Sequence, residues 1–181
     1  GNYVLNQDYL DKFERLIRLI VTADIDLRLF ISPMHAVHME LLDDSDLIPA
    51  FEDWKRQLVR VVAEINAAED LREPLQLVDF SGYNSVTTES VPAAGSDLQM
   101  QYYRDPAHYR IGTGDMILRR LLHPAEARTT LPDDFGIVLT PENIENSFKQ
   151  SQRRAKVYRD SAPDEVQNTR RIAAEARSNP R

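Results

Sequence analysis

The chain has 181 residues, 42% of them hydrophobic, which suits one domain with a core and excludes a disordered protein. Its formal net charge of -7 argues against general nucleic-acid binding, which needs a basic surface to displace counterions. With no cysteine it has no disulfide scaffold and no thiolate metal site, a composition that fits cytoplasm or periplasm, and no stretch approaches the ~18 apolar residues of a membrane span.

The first expected element is a helix. Leu10, Phe13, Leu16, Ile17 and Ile20 recur at three- and four-residue spacing with charges between them, and Asn6 or Asp8 can serve as N-cap. Leu27 to Ser32 is a short apolar run bounded by Asp26 and Pro33, which reads as a buried strand. His35 to Leu42 fits a short helix or a loop. A second long helix is expected from Pro49 to Ala68, with Pro49 in its first turn and Phe51, Trp54, Leu58, Val61, Val62 and Ile65 as its apolar stripe. Pro74 precedes a second strand, Leu75 to Phe80. Helix, strand, helix, strand in that order argues for a parallel α/β sheet with helices as crossovers.

Ser81 to Gln99 is loop-like, with Gly82, Asn84, Pro92 and Gly95; loops after strands in open α/β sheets are where ligands tend to sit. Met116 to Leu122 makes a helix stopped by His123-Pro124, and Leu131 to Gly136 reads as a turn before the brief apolar segment Ile137-Val138-Leu139. Thr140-Pro141-Glu142-Asn143 has the form of a helix start. A thinly apolar helix then runs to Asp160, breaks at Pro163 and resumes through Ala176. Arg153, Arg154, Lys156, Arg159, Arg170, Arg171, Arg177 and Arg181 crowd this tail, as a solvated helical face or as a docking surface for an acidic protein partner. Two strands cannot support an open sheet alone. Either further strands lie in the loops, or the chain is the C-terminal part of a longer α/β domain, or helices dominate.

The most informative segment is Asp105-Pro106-Ala107-His108-Tyr109-Arg110-Ile111-Gly112. A carboxylate three residues before a histidine can hold the imidazole in one tautomer and aim its far nitrogen at a nucleophile. Alternatively Asp105 simply caps a turn and His108 is a loop residue. His35 stands just past a strand end, where it can line the same cleft; with His38, Asp105 and His108 it could instead form a metal site. No cofactor or metal is expected. Asp79 ends a strand, facing the cleft or capping a turn. Tyr102, Tyr103 and Tyr109 crowd the segment and suit sugar rings or loop packing equally, so His35, Tyr103 and Tyr109 are the candidate substrate contacts. None of Ser32, Ser81, Ser85 and Ser96 sits in a glycine-flanked elbow of the kind that exposes a nucleophile.

The order of elements resembles the C-terminal half of an SGNH-type (GDSL-like) hydrolase over residues 6 to 122. The resemblance rests on Leu29-Phe30-Ile31-Ser32-Pro33, the long helix, the strand ending near Asp79, and Asp105-Pro106-Ala107-His108 followed by Gly112 or Gly114 and the Met116 to Leu122 helix. It implies a partial doubly wound, flavodoxin-like parallel sheet with flanking helices over residues 1–128, and a helical C-terminal appendage over 129–181. It further implies an esterase or O-acyltransferase of the bacterial envelope or periplasm acting on an acylated polysaccharide. Asp105 and His108 would be the orienting acid and general base, with the nucleophile block absent from this chain. The alternative expectation is a non-catalytic binding or assembly module on a degenerate hydrolase scaffold, docking a protein partner through the C-terminal helices.

Overall fold

A computed structural model of the chain describes residues 4–93 and 95–178. The first helix, α1 (Gln7–Thr22), begins where the Asn6 side chain accepts a hydrogen bond from the Asp8 N–H at 2.9 Å. Strand β1 (Leu29–Ile31) leads through Pro33 to α2 (Ala36–Asp44), and α3 (Ile48–Ala68) returns the chain to β2 (Leu77–Asp79). The Asp105/His108 segment, expected as a loop, is a hairpin of β3 (Tyr103–Asp105) and β4 (His108–Tyr109). It runs into α4 (Ile111–Leu122) and α5 (Pro124–Thr130), then β5 (Ile137–Leu139), α6 (Ile144–Ser161) and α7 (Pro163–Ser178). The last turn before α6 is not yet helical: the Asn143 side chain closes it by bonding the Thr140 N–H and the Val138 carbonyl, which delays the helix to Ile144.

The architecture is mixed α/β. The sheet order is β1-β2-β5, with β1 and β2 parallel and β5 antiparallel to β2. The expected parallel arrangement therefore holds for the one pair joined by the α2–α3 crossover, and a doubly wound parallel sheet does not describe the rest. The apolar run at Ile137 supplies the third strand. Alternation along each strand splits the sheet into two buried faces. Ile31, Leu77 and Leu139 meet α1, α3 and α6 through Leu10, Leu58, Val62, Ile144 and Phe148. Val78 faces the other way, toward Phe80, Val86, Tyr103, Ile117 and Phe135.

The expected division falls at residue 128. Beyond it, β5 is hydrogen-bonded into the sheet, and Ile144 and Phe148 of α6 belong to the same apolar cluster as α1 and α3. The basic tail also finds partners within the chain. Arg159 and Arg170 bond Glu40 and reach Asp43, and Arg177 bonds Asp44, so three of its arginines lie on the acidic side of α2. Arg181 lies outside the described residues. Among the described residues no helix is long and apolar enough to cross a membrane.

Two local features fix the inner geometry. Gly136 has φ +86°, and a Cβ there would stand 2.5 Å from the Phe80 ring and 2.9 Å from Arg120 Cγ, so the turn into β5 needs glycine both for its backbone and for space. Glu40 has no exposed surface. Its carboxylate accepts from Tyr83 Oη at 2.6 Å, from Arg159 Nε at 2.9 Å and from Arg170 Nη2 at 3.2 Å. Burial and this bond together push the Tyr83 hydroxyl far up from its ordinary pKa.

Replacing Glu40 with Ala strands the buried Tyr83 hydroxyl and frees two half-exposed guanidinium groups. The expected loss is about 2–3 kcal/mol in urea unfolding, with early amide exchange in α7. A change near zero would show that the network contributes nothing net.

Candidate functional site

Asp105 and His108 face each other across the hairpin, the only two intervening residues being Pro106 and Ala107. His108 Nδ1 lies 3.0 Å from each carboxylate oxygen of Asp105. A carboxylate only accepts, so Nδ1 carries the proton and Nε2 of the neutral ring is left with its lone pair free. Asp105 Oδ1 also accepts from the backbone N–H groups of Ala107 at 2.8 Å and His108 at 3.0 Å. These bonds, the Ala107 one first and the imidazole next, hold the Asp105 carboxyl below its ordinary pKa. One aspartate thus both caps the turn and orients the ring. The pair is open to solvent, with side chains 47% exposed for Asp105 and 75% for His108.

The remaining candidates fall elsewhere. His35 is fully buried as N-cap of α2: its Nδ1 accepts from the Val37 N–H at 3.2 Å, so its Nε2–H donates to the Glu89 carbonyl at 2.7 Å. Desolvation lowers its pKa. Tyr103 is equally buried, its ring edge-on to His35 with centroids 5.2 Å apart. Burial raises its pKa, and its hydroxyl has no hydrogen-bond partner among the described residues. Both expected substrate contacts are thus placed inside the protein, away from the surface that carries His108. Tyr109 differs: it pairs with Tyr103 across the hairpin, remains partly exposed next to His108, and places its ring 3.7 Å from where a Cβ on Gly114 would stand.

A second polar cluster occupies the end of β2. Lys55 Nζ donates to Asp79 Oδ2 at 2.6 Å and to Ser81 Oγ at 2.8 Å, while Ser81 Oγ donates to Asp79 Oδ1 at 2.7 Å. The ammonium also sits 4.6 Å from the Phe51 ring centroid. These groups line a cleft of about 140 Å³ between α3 and α6. The cluster is closed on itself: Lys55 Nζ donates to both Asp79 and Ser81, and the Ser81 hydroxyl is spent on Asp79. Ser85 is likewise spent, on Asp134 at 2.6 Å. Among the described residues no hydroxyl is hydrogen-bonded to His108, and no group of three or more His, Asp or Glu side chains is placed to hold a metal.

Two residues matter here that periodicity and motif did not bring forward. Lys55 is legible afterwards, because it stands on the apolar stripe of α3 between Phe51 and Leu58, where a charge demands a buried partner. Glu89 gives no signal in sequence. Its carboxylate nevertheless accepts from the consecutive N–H groups of Gln101, Tyr102 and Tyr103, at 2.6, 2.8 and 2.8 Å.

No protein-family model matches the chain, and searches of curated proteins and of solved structures find no match either.

Two outcomes follow from the buried pair His35 and Tyr103. The folded His35 pKa lies below its ordinary 6.5, so below that pH the unfolded chain binds more protons than the folded one. Its contribution to stability is complete above pH 6.5 and declines as the pH falls toward the folded value. Urea midpoints measured from about pH 7 down to about pH 5.5 should decline less in His35→Gln than in the natural chain. Tyr103→Phe removes an unpaired buried hydroxyl and should leave stability unchanged or raise it by up to about 1 kcal/mol in the same assay.

Proposed function

We propose that the Asp105–His108 pair is the proton-transfer half of a serine-type ester hydrolase or O-acyltransferase. The observation that carries this reading is a distance: both oxygens of Asp105 lie 3.0 Å from Nδ1, an arrangement that favours the Nδ1–H tautomer and with it a free Nε2 on an exposed imidazole. In the reaction, Nε2 takes the proton of a serine hydroxyl as its oxygen bonds to an ester carbonyl carbon. The imidazolium, steadied by Asp105, returns that proton to the departing alcohol as the ester C–O bond breaks. A water molecule or an acceptor sugar hydroxyl then repeats the two transfers on the acyl-serine, giving hydrolysis or acyl transfer respectively.

In this reading the serine comes from outside the 181 residues, because among the described residues no hydroxyl is hydrogen-bonded to His108, and those of Ser81 and Ser85 bond Asp79 and Asp134. The resemblance to SGNH-type hydrolases supports the same reading and suggests an acylated polysaccharide of the bacterial envelope as substrate. Tyr109, partly exposed beside His108, is the aromatic surface available to a sugar ring.

The test is the full-length gene product assayed for esterase and transacetylase activity on an acetylated polysaccharide. His108→Ala should lower kcat by about 10³- to 10⁴-fold, and Asp105→Asn by at least about 10²-fold. Natural rates in His108→Ala would falsify the assignment. A gene that encodes no serine block upstream of Gly1 would do so as well.

A further inference from the structure

The pair at the tip of the hairpin depends on how the hairpin itself is held. β3 and β4 are three and two residues long, with an irregular register between Tyr103 and Asp105. A hairpin of that size does not hold together in water unaided. Its base is gripped from two sides. The Arg110 guanidinium donates to the carbonyls of Met100 and Tyr103, and Thr113 Oγ1 donates to that of Tyr102. The N–H groups of residues 101 to 103 all point to one carboxylate, that of Glu89.

Glu89 is in turn fixed to the start of α2. Its own carbonyl accepts from the buried His35 imidazole, and the preceding Thr87 carbonyl accepts from the Ala36 N–H at 2.8 Å. Upstream, the Asn84 side chain bonds the Phe80 carbonyl and the N–H groups of Val86 and Thr87, so the whole turn after β2 is stiff. The described residues between Glu89 and Gln101 are in neither helix nor strand. Glu89 therefore links the segment after β1 to the hairpin through its carbonyl on one side and its carboxylate on the other.

We infer that Glu89 is a positioning residue for the Asp105–His108 pair: by clamping three consecutive backbone N–H groups at the base of β3, it holds the hairpin in the register that sets Asp105 opposite His108. This deepens, and rests on, the reading of His108 as the base. The anion on a row of N–H groups is the same arrangement by which backbone nests hold bound anions, with a side chain of the protein in place of the ligand.

The experiment reads the imidazole directly. In the full 181-residue chain, ¹⁵N NMR of His108 at a pH where the ring is neutral should show the proton on Nδ1. Glu89→Ala should abolish that preference and remove the amide-exchange protection of residues 101 to 103, while the signals of the α1, α3 and α6 core stay in place. Glu89→Gln keeps the side chain's length but turns a donor toward one of the three N–H groups. It should show a partial loss, and it decides the matter if Glu89→Ala fails to fold. A merely structural glutamate would change melting and leave the tautomer of the folded fraction alone. An unchanged Nδ1–H population in both variants, or in Glu89→Gln where it alone folds, overturns the inference. If the tautomer is released in Glu89→Ala while His108→Ala keeps full esterase activity in the full-length protein, the clamp stands and the base assignment falls.

Discussion

A charged carboxylate without solvent is the constraint from which much of this fold follows. Taking an ion out of water costs several kcal/mol unless partners replace the water, and Glu40 is fully buried. Its partners come from three places: Tyr83 in the turn after β2, Arg159 on α6 and Arg170 on α7. Each of these that leaves takes away part of what replaces the lost water. The two C-terminal helices are thereby committed to α2, and with them the Asp43 and Asp44 side chains that reinforce the contact. A buried ion pair of this kind is weak evidence for stability; its effect is to make one arrangement of α2, α6 and α7 far better than the alternatives.

The same logic runs along the segment that follows β2. Asp79 and Ser81 are tied to Lys55 on α3, Tyr83 to Glu40 on α2, and Glu89 to His35 at the start of α2. Three buried polar anchors within eleven residues turn an irregular connection into a rigid one. Long connections without regular structure are usually functional when they are ordered. Here the order is passed on to the hairpin, so a solvent-exposed pair at positions 105 and 108 rests on a well-buried support.

Apolar periodicity made α1, α3 and the two parallel strands legible, and the N-cap at Asn6 with them. Asp105 and His108 were legible because their bond is local, three residues apart, and needs only a turn between them. The antiparallel β5 was not, since its three residues carry too little pattern to declare a strand before its partner is known. The burial of His35 and Tyr103 was not legible for one reason: a polar tip says that a side chain needs a partner, not whether that partner is a ligand or the chain's own backbone. The imidazole found the Val37 N–H and the Glu89 carbonyl. The arginine-rich tail was ambiguous in the same way, and three of its arginines, Arg159, Arg170 and Arg177, bond the acidic side of α2.

Gly136 leads to a consequence for chains descended from a common ancestor with this one. The missing side chain at 136 is matched to an aromatic ring at 80, and the two lie far apart in sequence but touch in space. Substituting either alone creates a collision or a void, and a smaller residue at 80 would still leave Arg120 Cγ 2.9 Å from the new Cβ and a left-handed backbone that favours glycine. Glycine at 136 is therefore tied to two distant positions at once, the aromatic ring at 80 and the arginine stem at 120.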